Sequence, residues 1–265
     1  MAFRHPGQSP FGGRRLSGMF RITPAVKWLL IVNAGLWLLA YVLVRWIGLK
    51  AVLVHLALTP ARVVPGLELW QPATYMWLHS VTHPSHVLFN MLGLWVFGTY
   101  LEERWGGGGF VKYYLITGIA AGCVVLTSGW IFGSEDVMTV GASGSVYACV
   151  VAFGLLFPNK RIYLLGVVPI KGKWIVYGVL GITAVTWLMQ LIPSSSYVGS
   201  MNRVPQVSVA AHAGGMAAGA LLLTGWWNPM NLYRTIRRTL LRRKLRIVDR
   251  QIHGPGDDDA GPMIH

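Results

Sequence analysis

Residues 141–157 read GASGSVYACVVAFGLLF, a run without a single charge. Its length and composition suit the hydrocarbon core of a bilayer. It opens on Gly141-Ala142-Ser143-Gly144, a hydroxyl among small residues at the start of a buried segment. Small residues let helix backbones approach closely in membranes, so the tetrapeptide can be a packing device. It can equally present a nucleophile at a helix start. The choice depends on which polar groups the other apolar segments bring to it.

Those segments are numerous. The 265 residues are 54% hydrophobic and 12% charged, with a mean hydropathy of +0.50. Soluble domains carry about twice that charged fraction, and twelve Trp with ten Tyr suit broad interfacial belts. The class is an all-α polytopic membrane protein. Six spans are expected at 28–44 (interrupted by Asn33), 85–101, 110–132, 140–157, 174–192 and 207–227. A signal peptide is a poorer reading of the first, which is long for an h-region and lacks a small-residue cleavage site. The long connection 46–83 should lie in the interface, with Trp70, Tyr75 and Trp77 as anchors at headgroup depth. Loops of this length are usually functional. Residues 1–24 read as a disordered cytoplasmic tail, and 25–228 as the membrane domain. Residues 229–265 read as a basic amphipathic cytoplasmic tail, with Leu232, Ile236, Leu240 and Ile247 near one face, suited to anionic lipids.

Charge sets the orientation. With the N-terminus inside, 19 of the 23 Lys and Arg fall on cytoplasmic segments, and only Arg45, Lys50, Arg62 and Arg203 fall outside. Both termini are therefore expected in the cytoplasm. The net charge of +14 is accounted for by topology, so no nucleic-acid partner is needed. Cys123 and Cys149 sit inside apolar runs and read as small core residues, with neither a disulfide framework nor metal-ligand spacing.

Polar residues inside apolar spans are costly and need a reason. His86 and Asn90 lie four apart on one face of the second span, near its outer end. Ser143 lies at the outer start of the fourth, where free helix N–H groups could receive an oxyanion. Tyr147 stands one turn further. His212 is the only ionisable residue of the sixth span, followed by Gly215 and Gly219 on a face that can press against a neighbour. Each feature alone is explained by packing. Together, at similar depth on one side, they point to nucleophilic catalysis. Ser143 would attack a carbonyl, His212 would take its proton, and His86 with Asn90 would bind the oxyanion. No acid lies within a span, so a Ser–His dyad is the form available, with Tyr147 as the ring that orients His212. A zinc site on His86 and His212 would lack further ligands; no cofactor is expected.

With HVLFN at 86–90, GASG at 141–144 and HAGGMAAG at 212–219, the chain resembles the rhomboid family of intramembrane serine proteases over residues 25–228. The resemblance implies a six-helix bundle with an interfacial loop after the first helix. It implies a dyad of Ser143 and His212, an oxyanion site of His86, Asn90 and the Ser143 N–H, and Tyr147 stacked on the histidine. Gly141, Gly144 and Gly215 would support the site. Cleavage would fall in or beside transmembrane helices of substrate proteins, after a small residue and where the helix unwinds. The setting expected is a bacterial inner membrane, and the orientation set by charge puts the site toward the outer side. The family often has Trp-Arg in the first loop. Here Trp70 is followed by Gln71, which questions the loop's internal bracing. Glu102 and Arg104 in LEERWG resemble a structural turn of the family. Loops 46–83 and 193–206 would cap a wet cavity, and the fifth span, with Trp187, would border a lateral opening. The competing readings are an idle member of the same fold that binds transmembrane clients, and a transporter or channel. The latter would want intramembrane acids or paired broken helices.

Overall fold

A computed structural model describes residues 21–164, 168–191 and 209–225. The expected tail before residue 21, the loop 193–206 and the tail 229–265 lie outside the described residues. The chain divides into two compact units, Met1–Ala220 and Leu221–His265, and of the second only 221–225 are described.

Helix α1 spans Pro24–Arg45 and starts on a proline, which costs nothing where no helical acceptor exists. Its first turn holds no acid of its own. Instead the buried Glu102 carboxylate accepts the N–H groups of Ala25 (2.9 Å) and Val26 (2.8 Å) and the Thr23 hydroxyl. A distant residue thus satisfies donors that every helix start leaves open.

The connection after α1 is built from short pieces, α2 (Ala51–Leu56), α3 (Pro60–Val63), α4 (Gln71–Thr74) and a 3-10 turn at Tyr75–Trp77. Its bracing centres on Glu68. That carboxylate accepts from Arg62 Nη2 (2.9 Å) and from the Gln71 amide, with His55 Nδ1 at 2.8 Å. The Arg62 guanidinium holds the Glu68 carboxyl down at about 2, well below the usual range. Gln71 is fully buried, and its Oε1 accepts the Thr59 N–H at 2.8 Å. The doubt that Gln71 raised is therefore answered within this loop, where Arg62 supplies the guanidinium from another position. Tyr75 corrects the sequence reading. It is 1% exposed and donates to the Gly118 carbonyl at 2.7 Å, so it belongs to the core and not to a headgroup anchor. Trp70 is half exposed and Trp77 half-buried.

Helix α5 (Pro84–Gly93) runs through a wide turn at Leu94–Gly98 into α6 (Thr99–Ile131). These 48 residues would reach about 72 Å if straight, more than twice a bilayer core. The path breaks at Gly106, whose φ of 74° and ψ of 163° no helix contains. Beyond it Phe110 folds back onto Gly98, where an added Cβ would lie 2.9 Å from the ring. The expected second and third spans are the two limbs of this reversal.

Helix α7 (Ser143–Leu156) begins three residues later than expected, because Thr139 pairs with Leu58 across an isolated bridge and Gly141 has a φ of 128°. After α7 comes an antiparallel hairpin, β1 (Arg161–Leu164) and β2 (Val168–Lys171), which the all-α expectation did not include. Helices α8 (Gly172–Leu191) and α9 (Val209–Thr224) complete the described residues. Among the described residues three helical stretches are long and apolar enough to cross a membrane: Pro24–Arg45, Pro84–Ile131 and Gly172–Met189. The apolar α7 and α9 are shorter over the residues described.

Candidate active site

The segment leading into α7 is fastened to the loop before α5. Thr139 and Leu58 exchange backbone bonds of 2.8 and 3.0 Å, and the Gly141 N–H donates to the Tyr75 carbonyl at 3.0 Å. This pins the turn from which Ser143 emerges. Gly141 is required there on two grounds. Its φ lies in the left-handed region, and a Cβ would stand 2.8 Å from His86 Nε2. The His86 ring therefore lies against the backbone two residues before the serine.

Ser143 is the first residue of α7 and half-buried. The first helical bond runs from the Val146 N–H to the Ala142 carbonyl. The N–H groups of Ser143, Gly144 and Ser145 thus have no acceptor within the helix. An anion placed at this end would meet converging donors and the positive end of the helix dipole.

Helix α9 meets α7 at its outset. A Cβ on Gly215 would overlap the Gly144 carbonyl, and one on Gly144 would lie 3.3 Å from the Ala211 carbonyl. The two backbones touch between residues 144 and 211–215, so His212 and Ser143 each adjoin the point of contact. His212 is 7% exposed, and its ring stacks on Tyr147, centroids 4.0 Å apart and planes 11° apart. The third helix joins through Gly93 of α5, where a Cβ would stand 2.6 Å from Val146. Asn90 lies one turn before Gly93, as Ser143 lies one turn before Val146, which brings the two to a similar level. Asn90 is buried, and its Nδ2 donates to the His86 carbonyl at 2.8 Å. One of its two N–H donors is thereby committed to its own helix.

The expected residues Ser143, His212, Tyr147, His86, Gly141, Gly144 and Gly215 thus share one neighbourhood, with Asn90 at its edge. Residues 66–228, more than half of the chain, match the family model of the Rhomboid domain. The chain belongs to the rhomboid family. Among relatives, this rhomboid is 32% identical to the "Rhomboid protein 1, mitochondrial" of Saccharomyces cerevisiae over 147 residues, 54% of this chain and 37% of that one. It is 32% identical to the "Rhomboid protease GlpG" of Salmonella choleraesuis over 158 residues, 58% of this chain and 52% of that one. The chain thus matches about half or less of the length of these relatives. With its several apolar helices it is an integral, multi-pass membrane protein of all-α rhomboid type.

One residue of this rhomboid's candidate site escaped sequence reasoning. His79, 3% exposed, takes the Ala142 N–H on Nε2 at 3.5 Å and sets its ring edge-on to His86, centroids 5.3 Å apart. Burial, with the His86 ring second, pushes its imidazole down to about 3. It is neutral at pH 7, with the proton on Nδ1, the nitrogen left buried without a partner. The signal was present in LHSVTHPSH, three histidines within eight residues. Only the fold separates them, since His83 is exposed among Ser80 and Thr82 while His79 is buried under the Ser143 turn. Among the described residues no group of three or more His, Cys, Asp or Glu could hold a metal ion.

Proposed function

We propose that this rhomboid is an intramembrane serine endopeptidase acting in or beside the transmembrane segments of other membrane proteins. Residues 25–228 form its protease domain of six spans, with both termini cytoplasmic and the site toward the outer side of a bacterial inner membrane. The observation that carries the reading is the stacked Tyr147–His212 pair beside the Gly144–Gly215 contact, which supports an imidazole of fixed plane working at the start of α7.

In this reaction Ser143 Oγ gives its proton to His212 and attacks the substrate carbonyl carbon. The carbonyl oxygen becomes an oxyanion, which receives hydrogen bonds from His86, from Asn90 and from the Ser143 N–H. His212 then passes the proton to the leaving amine as the C–N bond breaks, leaving an acyl-serine. A water gives a proton to His212, attacks the ester and releases the new carboxyl end, and the proton returns to Ser143. A substrate helix must open first, because its hydrogen-bonded carbonyls are hidden from a nucleophile. The basic tail 229–265 fits an anionic lipid surface. The dyad needs no cofactor and no nucleic acid.

Covalent labelling tests the assignment. In detergent, a fluorophosphonate should modify the wild-type protein and fail to modify Ser143→Ala or His212→Ala. Labelling that survives Ser143→Ala overturns the nucleophile.

A further inference from the structure

The hairpin β1–β2 lies at the other end of α7 from Ser143. Its base is closed by bonds from the Gly172 N–H to the Lys160 carbonyl (2.9 Å) and from the Lys173 N–H to the Pro158 carbonyl (3.1 Å). Helix α8, long and apolar enough to cross a membrane, starts directly at Gly172, so on the membrane reading the hairpin falls at the level of lipid headgroups.

Its charge is one-sided. Residues 157–174 hold Lys160, Arg161, Lys171 and Lys173 and no acid. The ion pairs among the described residues, Arg21–Glu103, His55–Glu68 and Arg62–Glu68, use none of these four. The outer two rest on aromatic rings, Lys160 Nζ 4.1 Å from the Tyr100 centroid and Lys173 Nζ 5.5 Å from that of Trp174. Among the described residues the inner two meet no ring. Arg161 and Lys171 are cross-strand partners, both exposed. Their Cβ atoms therefore stand about 5 Å apart on one face, and like charges in that position repel. Strand alternation puts Tyr163, 41% exposed, on the same face as this pair, and the half-buried Ile162 and Ile170 on the other. Two opposed cations beside an exposed phenol ring, at a bilayer surface, are complementary to one phosphodiester.

We propose that Arg161 and Lys171 bind the phosphate of an anionic glycerophospholipid, with Tyr163 at the headgroup level beside it. The bound anion relieves the repulsion across the strands and ties the adjoining ends of α7 and α8 to the leaflet. The site rests on the membrane reading of the chain and is independent of the dyad.

The test uses the full-length protein in detergent, with native mass spectrometry reporting the preference for phosphatidylglycerol over phosphatidylcholine of matched acyl chains. Arg161→Gln or Lys171→Gln should each lower the preference about 5-fold, and the double variant about 25-fold. The exchanged pair, Arg161→Lys with Lys171→Arg, should keep it. In the wild type the preference should fall as salt rises from about 50 to about 500 mM. A wild-type preference in the double variant, or one insensitive to salt in the unmutated protein, overturns the proposal. So does displacement of the lipid by equimolar inorganic phosphate, which would mark a site for free phosphate.

Discussion

Asn90 is the residue on which geometry and role pull hardest against each other. One of its amide N–H donors is spent on the His86 carbonyl, and the other must serve the oxyanion in the proposed reaction. For Asn90→Ala the expected outcome is a loss of turnover on the order of 10- to 1000-fold, the range for a single oxyanion donor, with KM little changed. Steady-state cleavage of a transmembrane peptide measures both constants, and unchanged turnover would remove Asn90 from the chemistry. The base poses a related question. The acids among the described residues lie at Glu68, Glu102, Glu103, Glu135 and Asp136; Glu68 and Glu102 are each engaged at the hydrogen bonds described. What holds the His212 ring is the Tyr147 face, which fixes its plane.

The loop between α1 and α5 carries its own pH dependence. Glu68 is held at about 2 in the folded protein against an ordinary value of 4.5. A depressed folded value means that the carboxylate form stabilises the fold. That stabilisation is fully present above about pH 4.5 and is lost as the pH falls toward 2. Thermal unfolding in detergent should therefore show the wild-type midpoint declining through this window. In Glu68→Gln the decline should be smaller, and an identical decline would show that the Arg62–Glu68–His55–Gln71 cluster contributes nothing to stability. Little of this cluster was legible in advance. Tyr75 shows why, since an aromatic residue in a polar stretch has the same local pattern whether it faces headgroups or plugs a core. Its destination depends on Gly118, 43 residues away. The hairpin was hidden for another reason, because its strands are four residues each and flanked by lysines, which read as an ordinary charged loop.

Over the whole molecule, the apolar segments were legible because spanning length and composition are properties of contiguous residues. The candidate site was legible because a serine, two histidines and an asparagine stand out against a lipid-soluble background. The fastening of one segment to another leaves no contiguous trace. The orientation inferred from charge is open to a direct check, since Met138 precedes α7 and Asn159 follows it, both on exposed positions. In a Cys123→Ser background, a membrane-impermeant maleimide should label Met138→Cys on intact cells. It should label Asn159→Cys only after permeabilisation, and the reverse pattern would invert the topology.

The Glu102 cap on α1 also has a meaning in time. Ala25 leaves the ribosome 77 residues before Glu102. At about 5–20 residues per second, the first turn of α1 waits roughly 4–15 s for its acceptor. Through that interval its N–H groups depend on water and headgroups, and the helix is free to shift along its axis. The bonds that fasten its first turn to α6 form only when the α5–α6 reversal delivers the carboxylate.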